Sequence, residues 1–161
     1  MSATSFDTAR FRETLGHFAT GVTVVTATEE GEPVGFTCQS FSSLSLDPPM
    51  VALAPGKNST SWPRIAEAGS FCVNVLSSTQ EALARDFAVT GRDKFVGVGW
   101  EPGGNGAPRL QGALAWIECE LLLAHDAGDH EIVFGEVRDM GVNPGSPLLY
   151  YRGGFGRFTV E

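Results

Sequence analysis

Apolar and polar positions first recur at a helical period and then, for most of the chain, at a period near two. Phe11, Leu15 and Phe18 stand at i, i+4 and i+7, which predicts an amphipathic helix over 7–19, with Asp7 capping its first turn and Gly16 and Gly21 bracketing its end. The β-branched run GVTVVTAT (21–28) predicts a strand. The turn Glu29-Glu30-Gly31-Glu32-Pro33 follows and the chain returns, so a hairpin is expected. Asp47-Pro48-Pro49 interrupts the returning strand, because proline offers no N–H to a ladder, and MVALAP (50–55) begins a third strand.

A polar loop, Lys57-Asn58-Ser59-Thr60-Ser61, leads into a short helical segment, WPRIAEAG, that stops at Gly69, and SFCVNVL (70–76) is a fourth strand. Ser78-Thr79-Gln80-Glu81 has the spacing of a capping box ahead of a helix that presents Ala82, Leu83 and Phe87 and ends near Val89. Residues 90–112 are rich in glycine and proline without a period, and read as a long surface excursion of the kind that carries lids or binding segments. In ALAWIECELLLAH (113–125), Ile117, Cys119, Leu121 and Leu123 alternate with Trp116, Glu118 and Glu120, as in a strand with one buried face. Asp126-Ala127-Gly128-Asp129 supplies a turn, HEIVFGEVRDMGV completes a second hairpin, and PLLYYRGGFGRFTV closes the chain as a last strand or pair. Six or more strands, two or three short helices and no regular strand–helix alternation predict a mainly β, antiparallel fold, a small β-barrel, in one domain spanning 1–161.

Composition agrees with this and narrows the partners. With 161 residues, 42% of them hydrophobic, and 20 glycines, the chain can bury a core and turn often. A formal charge of -8 with eleven scattered basic residues excludes a binder of nucleic-acid backbones, but an anionic small molecule needs only one or two local cations. Cys38, Cys72 and Cys119 lie far apart with no CxxC pair, which fits neither a disulfide framework nor a zinc site and points to a reducing compartment. MSATSFDTARF lacks the segments of a secretory leader, and no apolar run reaches bilayer length, so a soluble cytoplasmic protein is expected.

Familiar motifs are missing: GVGWEPGGNG does not match GxGxxG, and there is no GxxxxGK[ST], HExxH, GxSxG or calcium-loop pattern. His17, His125 and His130 lack metal-ligand spacing; His130, at a strand start after Gly128-Asp129, is kept as a candidate functional group. GFTCQSFSSLSLDPP (35–49) holds five hydroxyls: Thr37, Ser40, Ser42, Ser43 and Ser45. They either solvate an edge strand or, together with Lys57-Asn58-Ser59-Thr60 one strand later, form a phosphate site without a glycine loop, with Lys57 as its point charge.

In order along the chain, FRETLGHFATGVTVVTA, PVGFTCQSFSSLSLDPP, MVALAPGKNST, SFCVNVL, the KF of GRDKFVGVGW, GDHEIVFGEV and LLYYRGGFGRF resemble the short-chain flavin reductases of two-component monooxygenase systems. The resemblance spans residues 10–158. It implies an FMN-binding split β-barrel, assembled as a homodimer with each flavin near the dimer interface. It also implies an oxidoreductase that uses NADH or NADPH to reduce FAD or FMN and releases the reduced flavin to a partner monooxygenase. Carried over residue by residue, Thr37, Cys38, Gln39 and Ser40 would line the isoalloxazine and ribityl chain, with Ser42 beside them. Ala54 and Pro55 would sit by the flavin, and Lys57, Ser59 and Thr60 would hold its phosphate. Phe87 would approach from one side, His130 would lie on the nicotinamide side as the catalytic candidate, and Tyr151 and Arg152 would close the pocket. Cys38 reads as a small buried residue, and Ser43 and Ser45 as ordinary strand residues. The absence of a second basic cluster for a 2′-phosphate leans towards NADH. Two rivals are a flavin-binding electron carrier without free-flavin turnover and a hydrolase using Cys38 or Ser40 with His130.

Overall fold

The computed structural model describes residues 5–161; the expectation about a leader rests partly on residues 1–4, outside the described residues. Asp7 caps the first helix, α1 (Thr8–Leu15), its carboxylate accepting the backbone N–H of Arg10 at 3.0 Å. None of the α1 residues is buried, so the predicted apolar stripe faces outward. The predicted first strand breaks at Val22 into β1 (Thr20–Gly21) and β2 (Thr23–Glu29), and β2 pairs antiparallel with β3 (Glu32–Cys38). The two-residue loop between them, Glu30-Gly31, takes φ of 49° and 82°, the left-handed geometry whose twist matches a tight hairpin.

Next come β4 (Ser42–Leu46), β5 (Pro49–Leu53), α2 (Trp62–Ala68), β6 (Ser70–Val75), α3 (Glu81–Phe87), β7 (Trp100–Pro102) and β8 (Pro108–Leu110). The long hairpin β9 (Ala115–Ala127) and β10 (His130–Val142) follows, then β11 (Leu148–Tyr151) and β12 (Gly154–Arg157). The main sheet has seven strands in the order β3-β2-β6-β9-β10-β5-β4, every neighbour antiparallel. Its two edge strands, β3 and β4, are consecutive in the chain and joined only by Gln39–Phe41. A flat sheet of that many strands would be roughly 29 Å wide at ~4.8 Å per strand, yet the step from Cys38 to Ser42 reaches at most about 14 Å. The sheet therefore curves until its edges approach each other.

Both faces of β2 are covered, as its near-continuous apolar sequence requires. Val25 packs with Leu53, Ile65, Phe71, Val73 and Val133 in one cluster. Val24 packs with Leu76, Ala84, Phe87, Leu110 and Leu148 in the other. Three expectations are corrected. The capping box does not form: Gln80 is the N-cap of α3 without a side-chain cap, its Oε1 accepting Ser77 N and its Nε2 donating to the carbonyl of Gln111. The 90–112 segment is no loose excursion, since β7 and β8 form a small hairpin bonded to the sheet. Thr26 Oγ1 donates to Pro108 O at 2.6 Å, and Leu110 N donates to Asn74 Oδ1 at 2.9 Å. Glu118, expected on an outer face, is 2% exposed because that hairpin brings Arg109 Nη2 to it at 2.9 Å, with Arg109 also stacked over Trp116 at 3.4 Å.

Candidate functional site

The approach of the two sheet edges leaves a cleft of about 460 Å³ between the 39–41 link, the loop after β5, the end of α3 and the tip of the β9–β10 hairpin. Ser40 fastens the link across it: its hydroxyl accepts Ala54 N at 2.9 Å and donates to Ala54 O at 3.0 Å. Thr37 Oγ1 donates to Ala84 O at 2.6 Å, tying β3 to α3, and Thr23 Oγ1 donates to Cys38 O at 2.6 Å. On the opposite wall Lys57 N donates to Asp129 O at 2.9 Å and Glu131 N to Pro55 O at 3.0 Å, which sets His130 beside Gly56. A Cβ at Gly56 would stand 2.8 Å from Asn58 Oδ1 and 3.8 Å from His130 Nε2, so a larger residue there would push the Asn58 side chain aside.

Of the residues expected at the site, Thr37, Cys38, Gln39, Ser40, Ala54, Pro55, Ser59, Thr60, Phe87 and His130 line the cleft together. The other four do not. Ser42 is exposed and donates to Ser43 O at 2.9 Å. Lys57 turns to an ion pair with the exposed Asp126 at 3.1 Å and is not among the residues that line this cleft. Tyr151 meets His17 edge-on at 6.2 Å, and the Arg152 N–H donates to Gly16 O, so both sit by the end of α1 instead of closing the cleft.

The cation that does reach the cleft is Lys94, absent from the expected set. Its ammonium donates to Phe87 O at 2.9 Å, Gly35 O at 3.1 Å and Ser61 Oγ at 3.3 Å. Phe95 anchors it, packing edge-on against Phe87 at 5.0 Å and Trp100 at 6.1 Å. The chain has only two lysines, 57 and 94, and a Lys-Phe pair in an otherwise polar, glycine-rich stretch was the available signal. Phe36, Asn58, Ser61, Ala88 and Thr90 complete the lining.

Although the chain carries 19 Asp and Glu residues, no carboxylate lines this cleft. Burial holds the Lys94 ammonium below the usual lysine range, because desolvation disfavours the charged form. His130 Nδ1 donates to Asp129 at 2.7 Å, and that bond holds the Asp129 carboxyl below its ordinary value. With Nδ1 so engaged, a neutral His130 ring carries its lone pair on Nε2, toward Gly56. Burial pushes the Cys38 thiol up, away from the thiolate that nucleophilic chemistry needs. Cys38 Sγ lies 3.3 Å from Ser40 Oγ, while His130 bonds to Asp129 and to neither of them, so no nucleophile–base pair is assembled. What remains is a donor-rich pocket of hydroxyls, amides and one ammonium, with Phe36, Pro55 and Phe87 as apolar walls. That chemistry suits a phosphorylated ligand with a flat aromatic body.

The flavin reductase like domain family matches residues 15–159. The reductase subunit HsaB of a flavin-dependent monooxygenase from Rhodococcus jostii is 46% identical over 154 residues, 95% of this chain and 79% of that protein. The FMN reductase (NADH) SmoA of Agrobacterium fabrum is 47% identical over 151 residues, 94% of this chain and 86% of its own. Among solved structures, nitrilotriacetate monooxygenase component B from Mycobacterium thermoresistibile superposes with a TM-score of 0.93 at 45% identity, covering 98% of this chain and 89% of that one. On these similarities and the shared fold, the chain belongs to the flavin reductase like domain family.

Proposed function

We propose that the protein is an NAD(P)H:flavin oxidoreductase that reduces FAD or FMN by hydride transfer and delivers the reduced flavin to a separate monooxygenase. The carboxylate-free cleft carries this reading: in a chain of net charge -8, the pocket between β3, the 39–41 link and the loop after β5 presents hydroxyls, amides and Lys94. Relatives named as reductase components of monooxygenases and as an NADH-dependent FMN reductase support it.

A bound flavin supplies the two-electron chemistry, and the protein supplies orientation, exclusion of water and electrostatics. Backbone groups of Thr37–Ser40 and the hydroxyl of Ser40 would line the ring system and ribityl chain. Ser59, Thr60 and Lys94 would hold the phosphate, with Lys94 taking the role first given to Lys57. Phe87 would bound the ring on one side, and His130, its ring fixed by Asp129, would bound the nicotinamide side. No acid–base triad is needed, consistent with the unassembled Cys38–Ser40–His130 set.

The larger frame belongs to the same proposal. A seven-stranded sheet whose edges are drawn together by three residues, without a ladder between β3 and β4, is what a split β-barrel requires. Residues 1–161 would form one such domain. Exposed Phe11, Leu15 and Phe18 near the N-terminus, and Leu122, Leu123 and Ile132 on the long hairpin, favour a homodimer. No helix among the described residues is long and apolar enough to cross a membrane, and Cys38, Cys72 and Cys119 are all unpaired, which favours a cytoplasmic location.

The test is steady-state: purified protein with NADH and excess FMN or FAD, followed at the nicotinamide absorbance band. Continuous oxidation is expected. A single stoichiometric event would mean an electron carrier, and none at all would reject the reductase.

A further inference from the structure

Lys94 is held in a way that suits a free amine as well as an ammonium. Its Nζ lies 2.9 Å from Phe87 O, 3.1 Å from Gly35 O and 3.3 Å from Ser61 Oγ, all neutral groups. Asp93, next to it in sequence, turns its carboxylate to the Phe95 N–H at 3.0 Å. The two carbonyls only accept, whereas the Ser61 hydroxyl accepts or donates. An ammonium therefore donates to all three, and a neutral amine donates to the carbonyls and receives the Ser61 O–H on its lone pair. Burial disfavours the charged form and holds Lys94 below the usual lysine range. We propose that Lys94 is a carbonyl-reactive amine, and that the cleft takes a phosphorylated aromatic aldehyde, of the pyridoxal 5′-phosphate kind, as an imine on its Nζ.

The surroundings of the amine select that class. Thr60, Ser61 and Lys94 line both the cleft and an adjoining cavity of about 630 Å³, so a ligand reaches Nζ from either side. Ser59 Oγ accepts the Trp62 N–H at 3.1 Å, which leaves its own O–H to donate to a phosphate beside Thr60. Phe36 and Phe87 wall the cleft for a flat ring. Ser61, which touches Nζ, follows Thr60 directly in the chain. A phosphate on the hydroxyls of Ser59 and Thr60 and a carbonyl at Nζ therefore belong on neighbouring positions of one ring. In the reaction the Nζ lone pair attacks the aldehyde carbon and the C=O pair moves to oxygen. The carbinolamine then loses that oxygen with both amine hydrogens as water, leaving C=N with nothing oxidised or reduced. Lys57, the only other lysine, lies outside the cleft with Asp126 3.1 Å from its ammonium, and that ion pair must break before its amine attacks.

A chain with two lysines makes the test direct. The protein is incubated with pyridoxal 5′-phosphate at neutral pH, imines are reduced with borohydride, and the peptides are mapped by mass. Lys94 should carry at least roughly tenfold more label than Lys57, the ratio for about 1.4 kcal/mol of extra binding. With pyridoxal, which lacks the phosphate, the Lys94:Lys57 ratio should fall severalfold, and a ratio taken on one sample cancels the difference in aldehyde reactivity. Lys94→Arg keeps the positive charge but forms no imine, so most of the visible imine band should be lost, and with it the inhibition of NADH oxidation by pyridoxal 5′-phosphate. Equal labelling of both lysines, a ratio indifferent to the phosphate, or an undiminished imine band in Lys94→Arg would overturn the inference. Only competition with flavin rests on the flavin reading of the cleft: FMN should protect Lys94 and leave the labelling of Lys57 unchanged. Selective labelling of Lys94 that FMN does not slow would uphold the imine site and defeat the assignment of flavin to this cleft.

Discussion

Replacing Lys94 by methionine removes the cleft's ammonium while keeping the length of the side chain. Lys94 makes three hydrogen bonds, all to neutral acceptors, at 2.9, 3.1 and 3.3 Å, so its charge is not neutralised within the protein. A hydrogen bond from that ammonium to a flavin phosphate should be worth about 1.5–3 kcal/mol, which corresponds to roughly a 10- to 150-fold loss of flavin affinity on its removal. The same substitution leaves the Phe87 and Gly35 carbonyls short of a partner and should lower stability by about 1–2 kcal/mol. Thermal melts beside fluorescence titrations with FMN and FAD therefore separate lost affinity from lost fold, and Lys94→Arg should recover much of the binding. Lys57→Ala is the internal contrast. Its partner Asp126 is an exposed carboxylate outside the cleft, and such surface pairs contribute ~0–1 kcal/mol, so flavin affinity should stay within about twofold. Wild-type affinity in Lys94→Met together with a large loss in Lys57→Ala would refute the reasoning and restore the phosphate to Lys57.

Burial depresses Lys94 below 10.5, so flavin binding should be fullest below that lowered value and weaken as pH rises through it; affinity that is flat to the ordinary lysine range would contradict this. The sign for the free protein is opposite: between the folded and unfolded values the folded state holds fewer protons, so its stability should rise with pH there, readable by urea unfolding. His130→Ala should slow NADH oxidation and largely keep flavin affinity, and stopped-flow kinetics showing the reverse would move His130 to the flavin side. Arg109→Ala leaves the buried Glu118 carboxylate without its guanidinium and should cost about 3–5 kcal/mol in urea unfolding; a change under ~1 kcal/mol would mean that the Asn105 N–H, 3.4 Å from Glu118 Oε1, suffices as its partner. Cys38→Ala should retain NADH oxidation, and its abolition would revive a redox role for that thiol.

Strands were legible where alternation or β-branching was strong, as in 21–28 and 113–125, because those patterns depend only on neighbours along the chain. The 90–112 segment was misread because its order comes from elsewhere: Thr26, Asn74 and Phe71 supply the partners that hold Pro108, Leu110 and Asn105. Glu118 was placed outside for the same reason, since no local pattern shows that Arg109 and Trp116 will meet it. Of the residues that line the cleft, Thr37–Ser40, Ala54, Pro55, Ser59, Thr60 and His130 were expected there from the ordered motifs. Lys57 was chosen because it adjoins Ser59 and Thr60 in sequence, but it lies in a turn closed by Ser59 N donating to Gly56 O, and its side chain pairs with Asp126. Lys94 reaches the Ser61 hydroxyl beside them from more than thirty positions away, by way of aromatic packing that no spacing rule records.

The three-residue link between the sheet edges has a consequence for how the protein tolerates change. Residues 38 and 42 belong to strands at opposite ends of the strand order, so shortening the link would pull on every strand between them, and lengthening it would let the cleft gape. Side-chain substitutions at Gln39 or Phe41 leave the backbone path alone. A library scored for NADH oxidation in the presence of flavin should therefore accept many residue types at 39 and 41 but almost no insertions or deletions, although loops elsewhere usually take length changes well. The segment behaves as a gauge block: its length, more than its composition, sets the width of the opening.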